Sequence, residues 1–179
     1  MDRLSTGEKI AGASAVLLFF FMLFSWFSIE GGGLIEGASG SVNAWDALDN
    51  IPVFLLIVIV FTLVVVGLRL TDSPFEPAVP LGAVVAVLGG ISTLLVLYRI
   101  IDPPGGGEVP GLSVDVSPTL GIFLGLIAAA GIAYGGYRAM QEEGASFGDA
   151  ADRLSGGSGG PGGGNPPPPP PPPPSDLSR

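Results

Sequence analysis

The sequence predicts an all-α membrane protein, a four-transmembrane-helix bundle with a disordered Gly/Pro-rich C-terminal tail. Three observations predict it. Four blocks of about 18 residues carry no charged side chain, and as helices each would be roughly 27 to 29 Å long, matching a hydrocarbon core of about 30 Å. Of the 179 residues, 47% are hydrophobic and only 13% charged, against about 25% charged in an ordinary soluble domain. From Ser155 onward the chain is mostly Gly, Ser and Pro, a composition that cannot bury a core.

The first span is Ile10 to Phe27, the second Ile51 to Leu68, the third Val79 to Leu97 and the fourth Leu120 to Tyr137. In lipid a helix satisfies its own backbone groups, so these blocks are expected as helices rather than strands. The first is longer than a signal-peptide core of about 7 to 15 residues, and no small-x-small site follows Trp26 and Phe27. It is therefore read as an uncleaved span. The expected organisation is residues 1–9 as a cytoplasmic N-terminus, 10–140 as the transmembrane domain, and 141–179 as a cytoplasmic tail.

Orientation follows from the basic residues. With both termini inside, Arg3, Lys9, Arg69, Arg138, Arg153 and Arg179 lie inside and only Arg99 outside. Glu30, Glu36, Asp46, Asp49, Asp102, Glu108 and Asp115 then fall outside, and one basic against seven acidic residues gives that face a net charge of −6.

The first outer loop, Ser28 to Asn50, begins with Gly31, Gly32 and Gly33 and is expected to start flexibly. It ends in Asn43-Ala-Trp45-Asp46-Ala-Leu48-Asp49, where Asn43 can cap a short helix with Asp46 in its acidic first turn. Trp45 and Leu48, three apart, are expected on one face. Two readings are open: an interfacial helix with Trp45 at headgroup depth, or a ligand or partner site made by Trp45, Asp46 and Asp49. Asn50 and Pro52 suit the cap and first turn of span two. The second outer loop, Arg99 to Ser117, contains Asp102-Pro-Pro-Gly-Gly-Gly and Val109-Pro-Gly and is expected to be irregular. The hairpin Arg69 to Ala78, with Pro74 and Pro77, is short enough to make spans two and three antiparallel neighbours.

Small residues are the main device by which membrane helices approach closely. Gly121, Gly125 and Ala129 recur every four residues in span four, and Gly131 with Gly135 repeats the spacing. Span three carries Gly82, Ala86 and Gly90, and span one Ala11 and Ala15. Spans one, three and four are thus expected at the bundle core, whether the stripes serve packing within one chain or self-association. Span two, with only Thr62 polar and Gly67 small, is expected to face mostly lipid.

Ionisable side chains inside a membrane mark ion paths and catalytic sites, and the four spans contain none. Their polar residues are Ser14, Ser25, Thr62, Ser92, Thr93 and Tyr134, most of which can bond their own helix backbone. Gly89-Gly90 before Ser92-Thr93 marks a place where span three could bend. The chain has no Cys and no His, which excludes thiolate nucleophiles, Cys/His metal sites and disulfides. The net charge of −9 without a basic patch argues against nucleic acid as a partner. No cofactor, metal site or catalytic residue is expected.

In the tail, Ser146-Phe-Gly-Asp149 reads as a capping box opening a short helix, with Phe147, Ala150, Ala151 and Leu154 on one face. Nine consecutive prolines, 166–174, would extend about 28 Å as polyproline II. That tract reads either as a docking rod for an aromatic-lined groove or as a spacer.

Phe24-Ser-Trp26-Phe27-Ser28, the Gly-rich loop leading to Asn43-Ala44-Trp45, Leu97-Tyr98-Arg99 followed by Pro103-Pro104-Gly105, and the Gly-rich fourth span together give a resemblance. Over about residues 8 to 142 the chain resembles a loose group of small four-helix membrane proteins from actinobacteria. The resemblance implies a bacterial plasma-membrane location and this topology, and no catalytic residue. The expected function is non-enzymatic: a scaffold or accessory subunit whose partners are the lipid bilayer and a protein met through the outer loops or the polyproline tail. A small transporter or channel component is the alternative.

Overall fold

The computed structural model of the chain describes residues 4–33, 39–48, 50–71, 80–104, 112–148 and 151. Its first element, α1 (Thr6–Phe21), opens on a complete capping box. Ser5 Oγ accepts from the Glu8 backbone N–H at 3.2 Å, and Glu8 Oε2 accepts from that of Ser5 at 2.8 Å. Two of the donors that every helix start leaves orphaned are thereby satisfied.

The expected first span therefore begins sooner and ends earlier than Ile10 to Phe27. Trp26 and Phe27 belong to strand β1 (Ser25–Gly33), which pairs antiparallel with β2 (Ser39–Asn43) on one side and with β3 (Leu112–Pro118) on the other. The molecule is mostly helical but not all-α, and neither loop is wholly irregular. The reason lies in the period of the residues. Phe27-Ser-Ile-Glu30 and Leu112-Ser-Val-Asp-Val-Ser117 alternate apolar with polar, the repeat of a half-buried strand. The glycines and prolines that suggested disorder are either tolerated in the strand, as at Gly31 to Gly33, or precede it.

Three long helices follow the hairpin: α3 (Ile51–Leu70), α4 (Leu81–Ile101) and α5 (Leu120–Glu142). Each is long and apolar enough to cross a membrane. At 16 residues, α1 is about 24 Å long and falls short of that length by itself. A four-residue turn of helix, α2 (Ala44–Ala47), connects β2 to the approach to α3. Asn50 occupies the N-cap position of α3, with Pro in the first turn, but its side chain makes no capping bond. α4 runs as one unbroken helix through Gly89-Gly90. Ser92 and Thr93 donate to the carbonyls of Leu88 and Gly89, both at 2.8 Å, so these hydroxyls are consumed within their own helix.

α5 is the centre of the bundle, packed against α1 on one side and α4 on the other, with α3 joined less extensively to α1 and α4. Its glycines make this closeness possible. A Cβ at Gly135 would lie 2.8 Å from both Ala11 Cα and the Gly7 carbonyl oxygen, and one at Gly136 would lie 2.9 Å from Ala86 Cα. A Cβ at Gly89 would come within 2.8 Å of Ala133 Cα. Backbones this close leave no room for any side chain. These contacts join the start of α1 to the end of α5 and the start of α4 to the end of α5, so both pairs are antiparallel. One end of the bundle thus carries the helix starts and ends of α1, α4, α5 and α3, and the other carries the sheet.

Candidate functional site

Two arrangements stand out, one at each end. At the sheet end, β1 and β2 are out of step between Ser25 and Phe27, leaving Trp26 as an extra residue on β1. Such a bulge re-aims a side chain, and here it buries two consecutive residues, Trp26 and Phe27, completely. The Trp26 ring lies over Gly125, where a Cβ would meet its Cζ2 at 2.7 Å. Its Nε1 donates to the Phe21 carbonyl at 2.7 Å, satisfying one of the acceptors left open where α1 stops. The Trp26 carbonyl accepts from the Thr119 N–H at 2.9 Å, and the Met22 carbonyl accepts from that of Ala44 at 3.3 Å. Trp26 thereby locks the sheet onto α1 and α5.

On the solvent-facing side of the same sheet, Glu30 stands opposite Asp115 across β1 and β3, and both are exposed. Like charges placed opposite each other weaken a strand pair. Asp115→Asn is expected to stabilise the protein by about 0.2–1 kcal/mol at low salt, with the difference shrinking in 1 M salt as the charges are screened. Thermal unfolding of the detergent-solubilised protein at two salt concentrations checks this.

The residues singled out in the first outer loop part company. Asn43 Oδ1 accepts from Trp45 N at 2.9 Å and Asp46 N at 3.2 Å, so the cap forms. Trp45 and Asp46 are exposed, whereas Leu48 is fully buried. Leu48 lies past the end of α2 with φ −125° and ψ 89°, so helical spacing no longer places it beside Trp45. Asp49 lies outside the described residues, as do Glu36, Glu108, Asp149, Ala150, Leu154 and the proline tract 166–174.

The packing residues also separate. Gly82 meets the backbone of Met140, a Cβ there lying 2.6 Å from its nitrogen, and Ala86 meets Gly136. Gly121 abuts the Ser25 carbonyl, Gly125 the Trp26 ring, and Ala129 is fully buried. Gly90 faces open space, with nothing within 4 Å of a Cβ. It sits one residue past Gly89, a step of about 100° around the helix, which turns it away from α5.

The second arrangement lies at the other end. Arg69, in the last turn of α3, places Nε 3.2 Å from Glu8 Oε1 and pairs through NH2 with Glu143 Oε1. Three helices are tied together by this one guanidinium. Glu142 accepts from the Gly7 N–H at 3.1 Å and pairs with Arg138 at 3.6 Å. The position of Glu143 is fixed by the stop of α5. Gly144, at φ 69°, allows the N–H groups of Gly144 and Ala145 to reach the carbonyls of Gln141 and Met140, a Schellman closure that only a left-handed residue permits. Phe147 and Gly148 are helical, where a short helix is expected to open, and the Phe147 ring stacks on that of Tyr137, centroids 6.1 Å apart.

Burial pushes the Glu143 carboxyl above its ordinary value, Arg69 draws it down and the Glu8 carboxylate raises it again. A folded-state value above the unfolded one means that Glu143 adds stability below the ordinary carboxylate range, and that this is lost as pH rises through the folded value. Glu143→Gln removes the titration. The stability of wild type relative to this variant is expected to fall as pH rises from about 4.3 toward neutrality, a trend that unfolding measured at several pH values would read.

The residues of this cluster were missed as a unit, although Ser5-Thr-Gly-Glu8 is an S-x-x-E signature placed before an apolar run. Trp26 falls at the expected end of span one, although the alternation beginning at Phe27 signals a strand.

The fold and these two ends define a class, a membrane-embedded helical protein with a small sheet at one end. Its lipid-type surface is carried by exposed Ile57, Leu94, Ile101 and Ile127. Comparison with protein-family models, curated proteins and solved structures finds no match.

Proposed function

We propose that the chain is a four-span protein of the bacterial plasma membrane, with both termini cytoplasmic, acting as a non-enzymatic scaffold or accessory subunit. α1 completes its crossing with the residues between Phe21 and the sheet, and the sheet lies on the outer face. The basic residues support this orientation, because Arg69 and Arg138 lie at the helix-terminal end of the bundle. A reporter fused after Arg179 should be active only in the cytoplasm; activity outside would overturn the topology.

The observation that carries the scaffold reading is the sheet itself. Among the described residues, in the order β2-β1-β3 only β1 is paired on both sides, so β2 and β3 each offer an edge of backbone donors and acceptors. Such edges bind extended partner segments by strand addition, and Trp26 holds them rigidly above the bundle. Acidic Glu30, Asp46 and Asp115 bias this surface toward basic partners.

A photo-crosslinking residue at Ser41 on β2 or Ser117 on β3 should yield crosslinked protein in native membranes, while one at Val60, exposed on α3, should not. Equal yields at all three positions would sink the scaffold reading. Flux of ions or solutes through liposomes containing the purified protein would instead favour a small transporter or channel component.

A further inference from the structure

The sheet has an inner and an outer row of side chains, as the period of two requires. In the inner row Phe27 is fully buried, and Val42 opposite it on β2 and Val116 on β3 pack against the helical core. In the outer row Ser41 on β2, Glu30 on β1, and Asp115 and Ser117 on β3 are exposed.

The two open edges differ in charge. β2, five residues long, reads Ser-Gly-Ser-Val-Asn and carries none. β3, seven residues long, carries Asp115, and Glu30 stands directly behind it on β1. Among the described residues at this end of the bundle, Glu30, Asp46, Asp102 and Asp115 are accompanied by one cation, Arg99 in the last turn of α4, so the end is acidic with Arg99 counted. A strand added beside β3 would lie about 4.8 Å from it and about 9.6 Å from β1. A lysine or arginine on the outer row of that strand, level with Asp115, would have both carboxylates within reach of its long side chain. It would gain an opposite-charge pair across the strands and offset the repulsion between Glu30 and Asp115. An added strand beside β2 meets no such charge.

We propose that the free edge of β3 is the docking edge, and that its partner is an extended polypeptide segment alternating apolar residues with Lys or Arg, added as a fourth strand with a basic side chain beside Asp115 and Glu30. The inference rests on the strand-addition reading above and extends it by fixing the edge and the chemistry of the partner. Backbone pairing gives affinity that any extended sequence can share, whereas alternate side chains give the choice among partners. The Thr119 N–H donates to the Trp26 carbonyl at 2.9 Å, pinning the end of β3 to the buried bulge, so the edge is ordered before the partner arrives and binding costs less entropy.

The test uses the full chain in phosphatidylcholine nanodiscs and end-capped fluorescent peptides matched to the seven residues of β3: Val-Thr-Val-Lys-Val-Thr-Val, its counterpart with Glu in place of Lys, and a fully N-methylated Lys version. Fluorescence anisotropy against empty nanodiscs reads binding, and a photo-crosslinking group on the peptide reads the site. The Lys peptide should bind about threefold to tenfold more tightly than the Glu peptide at low salt, as one attractive against one repulsive cross-strand charge pair implies. The difference should shrink at high salt and in Asp115→Asn, a variant expected to fold at least as stably as wild type. The N-methylated peptide should not bind, and crosslinks should fall on Leu112–Pro118. Equal binding of the Lys and Glu peptides, or crosslinks confined to Ser39–Asn43, overturns the inference while leaving strand addition in place. A preference for Lys that persists undiminished in Asp115→Asn, or binding that survives N-methylation, overturns it as charge attraction without strand pairing. Binding of neither peptide also overturns it, and means that Asp115 guards the edge against pairing. The scaffold reading falls separately, by the crosslinking yields at Ser41, Ser117 and Val60 in native membranes.

Discussion

Gly135→Ala is expected to destabilise the folded protein by about 1–3 kcal/mol, the range for overpacking a well-filled interior, although alanine is the better helix former by about 1 kcal/mol. The added methyl would lie 2.8 Å from Ala11 Cα and from the Gly7 carbonyl oxygen. Both are backbone atoms, so relief requires α1 and α5 to separate as rigid bodies rather than one side chain to turn. Separation would also strain the Gly7 to Glu142 hydrogen bond and the Arg69 bridge at the same end. Gly90→Ala is the control, because nothing lies within 4 Å of a Cβ there, and it should leave stability unchanged or raised. Both substitutions make their segment slightly more apolar and should insert normally. Unfolding of the two variants in detergent checks the pair. Equal stabilities would mean that α1 and α5 are not in backbone contact.

Trp26→Ala should have a still larger effect, about 3–5 kcal/mol, as for other buried aromatic truncations. The substitution opens a cavity over Gly125 and removes the indole N–H that donates to the Phe21 carbonyl at 2.7 Å, leaving that carbonyl only the Phe24 N–H at 3.2 Å. Strand β1 should loosen with it, so proteolysis between Ser28 and Ser41 should accelerate. The geometry also sets a sharper expectation. Gly125→Leu in the wild type drives a side chain into the indole ring and should destabilise, but in the Trp26→Ala background the same leucine enters the vacated space. The double variant should therefore be more stable than the sum of the single effects, by a coupling of about 0.5–3 kcal/mol. Additive losses would show that Gly125 and Trp26 do not touch. Val64→Leu on the exposed side of α3 should be neutral in both backgrounds.

The part of this architecture readable from the sequence is the part written in long-range composition. Charge-free blocks mark α3, α4 and α5 to within a few residues at their starts, since nothing but a helix hides its backbone in lipid. The importance of small residues in span four was legible for the same reason, and so was the Asn43 cap, a purely local interaction. Short elements were harder. The strand period spans only four residues from Phe27 to Glu30, and beside an uninterrupted apolar run it looks like the end of a helix. Ser5 and Glu8 form a local signature, yet the five residues Ser5 to Lys9 before a hydrophobic block carry little weight next to the block itself.

By itself, then, the sequence determined the apolar helices, the charge asymmetry between the ends and the glycines that let backbones meet, because these follow from hydrocarbon solvation and side-chain size. The tertiary structure decided which glycines are used. Gly89, Gly135 and Gly136 face another backbone while Gly90 does not, a distinction of about 100° of helix rotation that no spacing rule assigns without the neighbour in place. It also decided the roles of Trp26 and Arg69. Trp26 becomes a lock through a bulge set by pairing with β2, and Arg69 becomes a bridge by meeting carboxylates 61 and 74 positions away.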